Sequence, residues 1–188
     1  YLPIVEKAAK DGIVELQISL DSGCQGTFKS IKGVDAFETV LNNIKEFCIK
    51  SNAIVNLKYI LINNWNDTEW EVNEFLKTAK DLRCITHICF DIDYRDILLS
   101  EKKDFKVPQR YYDLINKAKG FCYENRIKFD IAPYARQYME KNKEWLIKQL
   151  KIKGYTDFSN ILLCTLDNTD KITVYEANND VKSNDIFE

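Results

Sequence analysis

Ser19, Lys58, His87 and several carboxylates occupy alternate positions in short apolar runs, and alternation can gather scattered residues on one surface. From Val14 to Asp21, the apolar residues Val14, Leu16, Ile18 and Leu20 alternate with Glu15, Gln17, Ser19 and Asp21. Asn56 and Lys58 alternate with Val55, Leu57, Tyr59 and Leu61. His87, Cys89, Asp91 and Asp93 alternate with Thr86, Ile88, Phe90 and Ile92, and Lys128 and Asp130 with Ile127, Phe129 and Ile131. Successive side chains of a strand point to opposite faces, so each run carries one apolar and one polar face. His87, the single histidine, is a candidate proton donor or substrate contact, or a satisfied polar neighbour. Lys58 can bind a ligand charge or pair with Asp21 or Asp91 across the same face. Asp91, Asp93 and Asp96 with Glu15 raise the question of a metal, but their spacing is not that of an EF-hand loop, and no metal site is expected.

The elements that position these residues follow from periodicity. Strands are expected over Val14 to Asp21, Ile54 to Ile62, Ile85 to Asp93 and Ile127 to Pro133. Between them lie stripes at helical spacing: Phe37, Val40, Leu41, Ile44, Phe47 and Cys48; then Val72, Phe75, Leu76, Ala79 and Leu82; then Tyr111, Leu114, Ile115 and Ala118. Asn66 followed by Glu69 reads as a capping-box variant, and Pro108 suits a helix start. Asp21 to Gly26 is a turn-rich stretch. A further helix is expected from about Tyr138 to Lys153, then two short strands, Ile161 to Leu166 and Ile172 to Tyr175. The polar tail after Asn178 is expected to fray.

Strand–helix repetition at this spacing predicts an α/β fold with parallel strands and helical crossovers. Open parallel sheets covered on both faces have strands apolar throughout. These are half polar, as in a curled sheet: a partial TIM-type (βα) barrel fragment with outer helices and a wet interior. Ligand groups then belong near the carboxyl ends of the strands, at Ser19, Asp21, Asp91 and Asp93. An antiparallel sheet with one solvated face also fits the alternation, although the long helical connections oppose it.

The 188 residues, 45% hydrophobic, suffice for a core. A net charge of −2, with acidic and basic residues interleaved, gives no basic field for nucleic acid. No apolar run spans a bilayer. The six cysteines read as reduced thiols of a cytoplasmic protein rather than a disulfide framework. The closest pair, Cys84 and Cys89, has a C-x4-C spacing that matches no common zinc pattern.

The string Gln17-Ile18-Ser19-Leu20-Asp21-Ser22-Gly23, followed by Thr27-Phe28-Lys29-Ser30-Ile31-Lys32-Gly33, resembles the fourth-strand region of radical S-adenosylmethionine (SAM) enzymes. Val55 to Leu61 with Asn66-Asp67 is similar to the next unit. Ala79-Lys80-Asp81-Leu82 with Ile85-Thr86-His87-Ile88 is similar to the one after. The resemblance covers residues 1–134 and implies the carboxyl-terminal half of that family's barrel, with residues 135–188 as an accessory segment and residues 1–11 as a helix before the fourth strand. It implies SAM and a 4Fe-4S cluster in the intact protein, which would generate a 5′-deoxyadenosyl radical. The C-x3-C-x2-C triplet that holds the family's cluster does not occur here, so the chain is either a fragment or a degenerate relative, and alone it is expected to be inactive and to bind no cofactor. By resemblance, Ser19, Lys58, Asp21 and Ile88 would contact SAM, and Gln17, His87, Asp91 and Asp93 would line the substrate pocket. Ser19 can equally satisfy local backbone. Lys58 and Asn64 depart from the residues, often Asn and Gly, that relatives carry there. Expected partners are a missing amino-terminal half or a self-association covering the first strand, and a small-molecule or peptide substrate; nucleic acid and membrane are not expected. The alternative is a non-catalytic barrel-like module that binds a small molecule or a protein.

Overall fold

The structure, a computed structural model, describes residues 7, 15–50, 54–95, 107–166 and 172–176. The helix expected over residues 1–11 (apart from residue 7), Asp96 and the tail after Asn178 lie outside the described residues. The chain divides into two compact units, Tyr1–Asn142 and Lys143–Glu188. The division falls inside a helix, eight residues beyond the expected boundary at 134/135.

In the first unit, four strands form one sheet: β1 (Glu15–Ser19), β2 (Ile54–Leu61), β3 (Ile85–Ile92) and β4 (Lys128–Ile131). They lie side by side in sequence order, and every neighbouring pair is parallel. The antiparallel alternative is thereby excluded. Helices α1 (Gln25–Lys32), α2 (Phe37–Lys50), α3 (Glu69–Leu82) and α4 (Gln109–Glu124) run between the strands. The arrangement is α/β and consistent with a partial (βα) barrel.

The expected stripes are the buried ones. Val72, Phe75, Leu76, Ala79 and Leu82 of α3, and Tyr111, Leu114, Ile115 and Ala118 of α4, pack on the apolar face of the sheet. At its centre, Tyr59 meets Phe75 and Phe90 at ring-centroid distances of 4.6 and 5.1 Å. The turn-rich stretch is shorter than expected, because α1 begins at Gln25. Gly23 comes so close to α3 that a Cβ there would lie 2.0 Å from backbone atoms of Glu74 and Phe75, which leaves no room for any other residue.

Three expectations change. Thr68, not Asn66, caps α3: its side chain accepts a hydrogen bond from the Glu71 amide. Asn66 is buried instead. Its Oδ1 accepts from the Ile62 amide at 2.7 Å, and its Nδ2 donates to the carbonyls of Asp21 and Ile60 at 2.8 Å each. The side chain thus stitches the ends of β1 and β2, and its Oδ1, taken by the Ile62 amide, is not spent on capping a helix two residues earlier. The cysteines are not all reduced: Cys48 and Cys84 form a disulfide, with Cα atoms 6.1 Å apart. Parallel crossovers explain the meeting, since α2 and α3 both end at the amino-terminal edge of the sheet. With one pair joined, the cysteines give no support to a cytoplasmic location. Third, the last helix begins earlier than Tyr138: α5 spans Pro133–Ile152.

In the second unit, β5 (Ile161–Leu166) and β6 (Ile172–Glu176) pair antiparallel as a two-stranded ribbon. No helix among the described residues is long and apolar enough to cross a membrane.

Candidate functional site

In-register parallel neighbours share a face, and the register decides which polar residues meet. Ser19 pairs with Lys58, Gln17 with Asn56, Asn56 with His87, and Lys58 with Cys89. His87 and Cys89 in turn pair with Lys128 and Asp130. Glu15, Gln17, Ser19, Asn56, Lys58, His87, Cys89 and Asp91 therefore lie on the face away from the apolar core. A cavity of about 340 Å³ opens there, lined by Glu15, Gln17, Asn56, Lys58, His87 and Cys89. Ala132 and Pro133, at the junction of β4 and α5, close one side.

Within it, Lys58 Nζ lies 2.6 Å from Asp91 Oδ2, while Asp91 Oδ1 accepts from the Ile92 amide at 2.9 Å. The two sequence alternatives for Lys58 resolve in favour of Asp91. Asn56 Nδ2 donates to Glu15 Oε1. Among the described residues, that leaves Asn56 Oδ1 buried without a partner, and His87 Nε2 on the adjacent strand is in the same condition. Burial pushes the Cys89 thiol above its ordinary pKa, although Lys58 pulls the other way. At neutral pH it is a thiol rather than a ready nucleophile.

The expected site residues divide. Gln17, Lys58 and His87 line the cavity, and Asp91 reaches it through Lys58. Ser19 stands exposed beside Lys58 on the same face but outside the cavity lining. Asp21 is turned into the left-handed region (φ 57°). Its carboxylate holds Lys32 Nζ at 2.5 Å and accepts from the Ile60 amide at 2.8 Å, so it braces the loop after β1. The Asp93 carboxylate is engaged by Arg95 at 2.6 Å. Burial pushes Asp93 upward, but the hydrogen bonds and charge of Arg95 outweigh it and hold the group below the usual carboxylate range. The Ile88 side chain is fully buried in the apolar core, so only its backbone is available toward the other face.

Asn56 is the residue that spacing placed on the polar face without assigning it a task. The signal was available: a carboxamide in the middle of an apolar run, opposite the single histidine, needs partners. Two part-buried contacts beyond the carboxyl ends of β1 and β2 were also missed. Thr27 Oγ1 donates to Glu71 Oε1 at 2.5 Å, and Arg110 clamps Asp67 from α4, its Nε at 2.7 Å. The first joins α1 to α3 and the second joins α4 to the loop after β2; neither belongs to the cavity lining. Among the described residues, no group of three or more His, Cys, Asp or Glu is placed to hold a metal ion.

No protein-family model matches the sequence, and no curated protein matches it. A solved structure does resemble it loosely. A radical SAM methyltransferase from Sphaerobacter thermophilus superimposes with a TM-score of 0.46 at 14% identity, over 70% of this chain. The chain spans 37% of the length of that protein. A likeness this loose says nothing of chemistry.

Proposed function

We propose that this chain forms part of a radical SAM enzyme, with SAM held at the carboxyl half of the polar face and a substrate in the cavity beside it. The observation that carries the reading is the parallel register that sets Ser19 beside Lys58 at the rim of a polar cavity, on strands whose sequences resemble that family's. In this reading the Ser19 hydroxyl contacts the ribose or amino-acid part of SAM. Lys58, steadied by Asp91, presents its remaining N–H donors to the same region. The backbone of Ile88 borders the adenine, while Gln17 and His87 face substrate. Asp21 and Asp93, whose carboxylates hold Lys32 and Arg95, shape the loops at the rim rather than touch the ligand. Reductive cleavage of SAM at an iron–sulfur cluster supplies a carbon radical in this family. The described residues do not fit a cluster, because their free thiols Cys24, Cys89, Cys122 and Cys164 lie on separate elements. The iron would have to be held by chain outside them.

One observation favours a second reading: without a thiolate set, the same cavity also suits a non-catalytic binding module. Two measurements separate them. The coding sequence from which the chain comes should carry C-x3-C-x2-C ahead of Tyr1. S-adenosylhomocysteine should shift the amide resonances of Ser19 and Lys58, and Ser19→Ala should weaken that response. If the triplet is missing and the nucleoside moves neither amide, the enzyme reading fails and the binding module stands.

A further inference from the structure

The polar cavity contains an unmet demand with a defined sign. Asn56 is 3% exposed, and its orientation is fixed because Nδ2 donates to the Glu15 carboxylate. Its Oδ1 therefore points away from Glu15 as an acceptor, buried and without a partner among the described residues. His87, its ladder neighbour on β3, leaves Nε2 buried and unpaired among the described residues. A buried polar atom without a partner costs free energy that a ligand can recover by supplying the missing group.

Charge narrows the choice. Glu15 lies at the cavity and is bonded there only to a neutral carboxamide among the contacts described. The cation of the lining, Lys58, is already neutralised by Asp91. The lining thus keeps a buried acceptor at Asn56 and a residual negative charge. A group that brings adjacent N–H donors and a positive charge satisfies both. A volume of about 340 Å³ is at the small end of ligand sites. It suits a small molecule or a single side chain.

We propose that this cavity binds a guanidino group, carried by a small molecule or by an arginine side chain, with its N–H edge on Asn56 Oδ1 and, with the ring proton on Nδ1, on His87 Nε2, and its charge facing Glu15. The assignment names a substrate class for the cavity and rests on the functional reading above only in calling the ligand a substrate. Binding itself requires neither SAM nor iron.

Because His87 is the only histidine, its imidazole is a private reporter. The full 188-residue chain, labelled with ¹⁵N-histidine, is titrated with methylguanidinium, methylurea and acetate while the Nε2 resonance is followed. Methylguanidinium should give a saturable shift, methylurea a weaker one, and acetate none. Asn56→Leu should weaken methylguanidinium binding at least about tenfold, the scale of one charge-assisted hydrogen bond. Since Asn56 is buried, Glu15→Gln serves as the second variant, at an exposed position: it should weaken methylguanidinium and leave methylurea unchanged. Comparing agmatine with Nα-acetyl-arginine methylamide then tells a free small molecule from a peptide side chain, whichever binds tighter. A response to acetate rather than methylguanidinium, a methylguanidinium shift unaltered in both variants, or no shift with any probe overturns the proposal. Guanidinium binding, with the triplet missing and no response to S-adenosylhomocysteine, supports this assignment while removing the enzyme reading, so the two fail separately.

Discussion

Lys58 and Asp91 are each less than one-quarter exposed, so their ion pair sits between the surface case and the buried one. Removing the cation leaves a largely buried carboxylate with one backbone donor. Lys58→Met should therefore cost about 1–3 kcal/mol in urea unfolding. Adding Asp91→Asn should recover most of it, and equal losses in the single and double variants would show that the pair contributes nothing. The same lysine acts on Cys89. Burial raises that thiol and Lys58 partly offsets the rise. Thiolate is the reactive form, so a raised pKa means slower alkylation than a free cysteine at pH about 8.5. The rate should keep climbing above that pH, and Lys58→Met should slow it further. Peptide-resolved alkylation followed against pH checks both. Alternation placed Lys58 and His87 on the shared face correctly, because a period of two fixes the face without knowledge of the neighbour. What it left open was which carboxylate Lys58 takes, since Asp21 leaves the strand with a left-handed backbone that spacing does not reveal.

At the level of elements, the end of β2 depends on Asn66. Its carboxamide makes three hydrogen bonds to backbone, and the residue is fully buried. Asn66→Ala strands an amide and two carbonyls, so it should cost about 3 kcal/mol or more, read from chemical denaturation. Asn66→Asp keeps the Ile62 contact but replaces a donor with a charge beside two carbonyls, and should be no better. A loss under about 1 kcal/mol in the alanine variant would mean that water replaces the side chain. The strands β2 and β3 and the stripes of α3 and α4 were legible because apolar period and burial coincide there. The cap of α3 was not: Asn66-Asp67-Thr68 offers three good capping residues in a row. The choice between them is made by the loop after β1, which claims Asn66 through the Asp21 carbonyl. That contact spans 45 residues and has no local signature.

For the molecule as a whole, the disulfide Cys48–Cys84 closes a loop of 36 residues that contains β2 and α3. Chain-entropy reasoning gives a stabilisation of about 4 kcal/mol for a loop of that size, an upper figure when the reduced chain keeps structure. Reduction, or Cys48→Ser with Cys84→Ser, should lower the unfolding midpoint by about 10 °C. No change on reduction in calorimetry would show the bond to be incidental. The pairing could not be read from the sequence, because neither cysteine has a spacing signature and their meeting depends on where two parallel crossovers return. The order of the sheet has a different consequence. Each strand of β1 to β4 lies beside the one made just before it, so no strand must be held open for a later one to slip between. A chain emerging from the ribosome at about 5–20 residues per second can add its strands one at a time. Residues 48 and 84 are both out before β3 is made, so synthesis itself presents the bond-forming partners while the growing edge of the sheet is still β2.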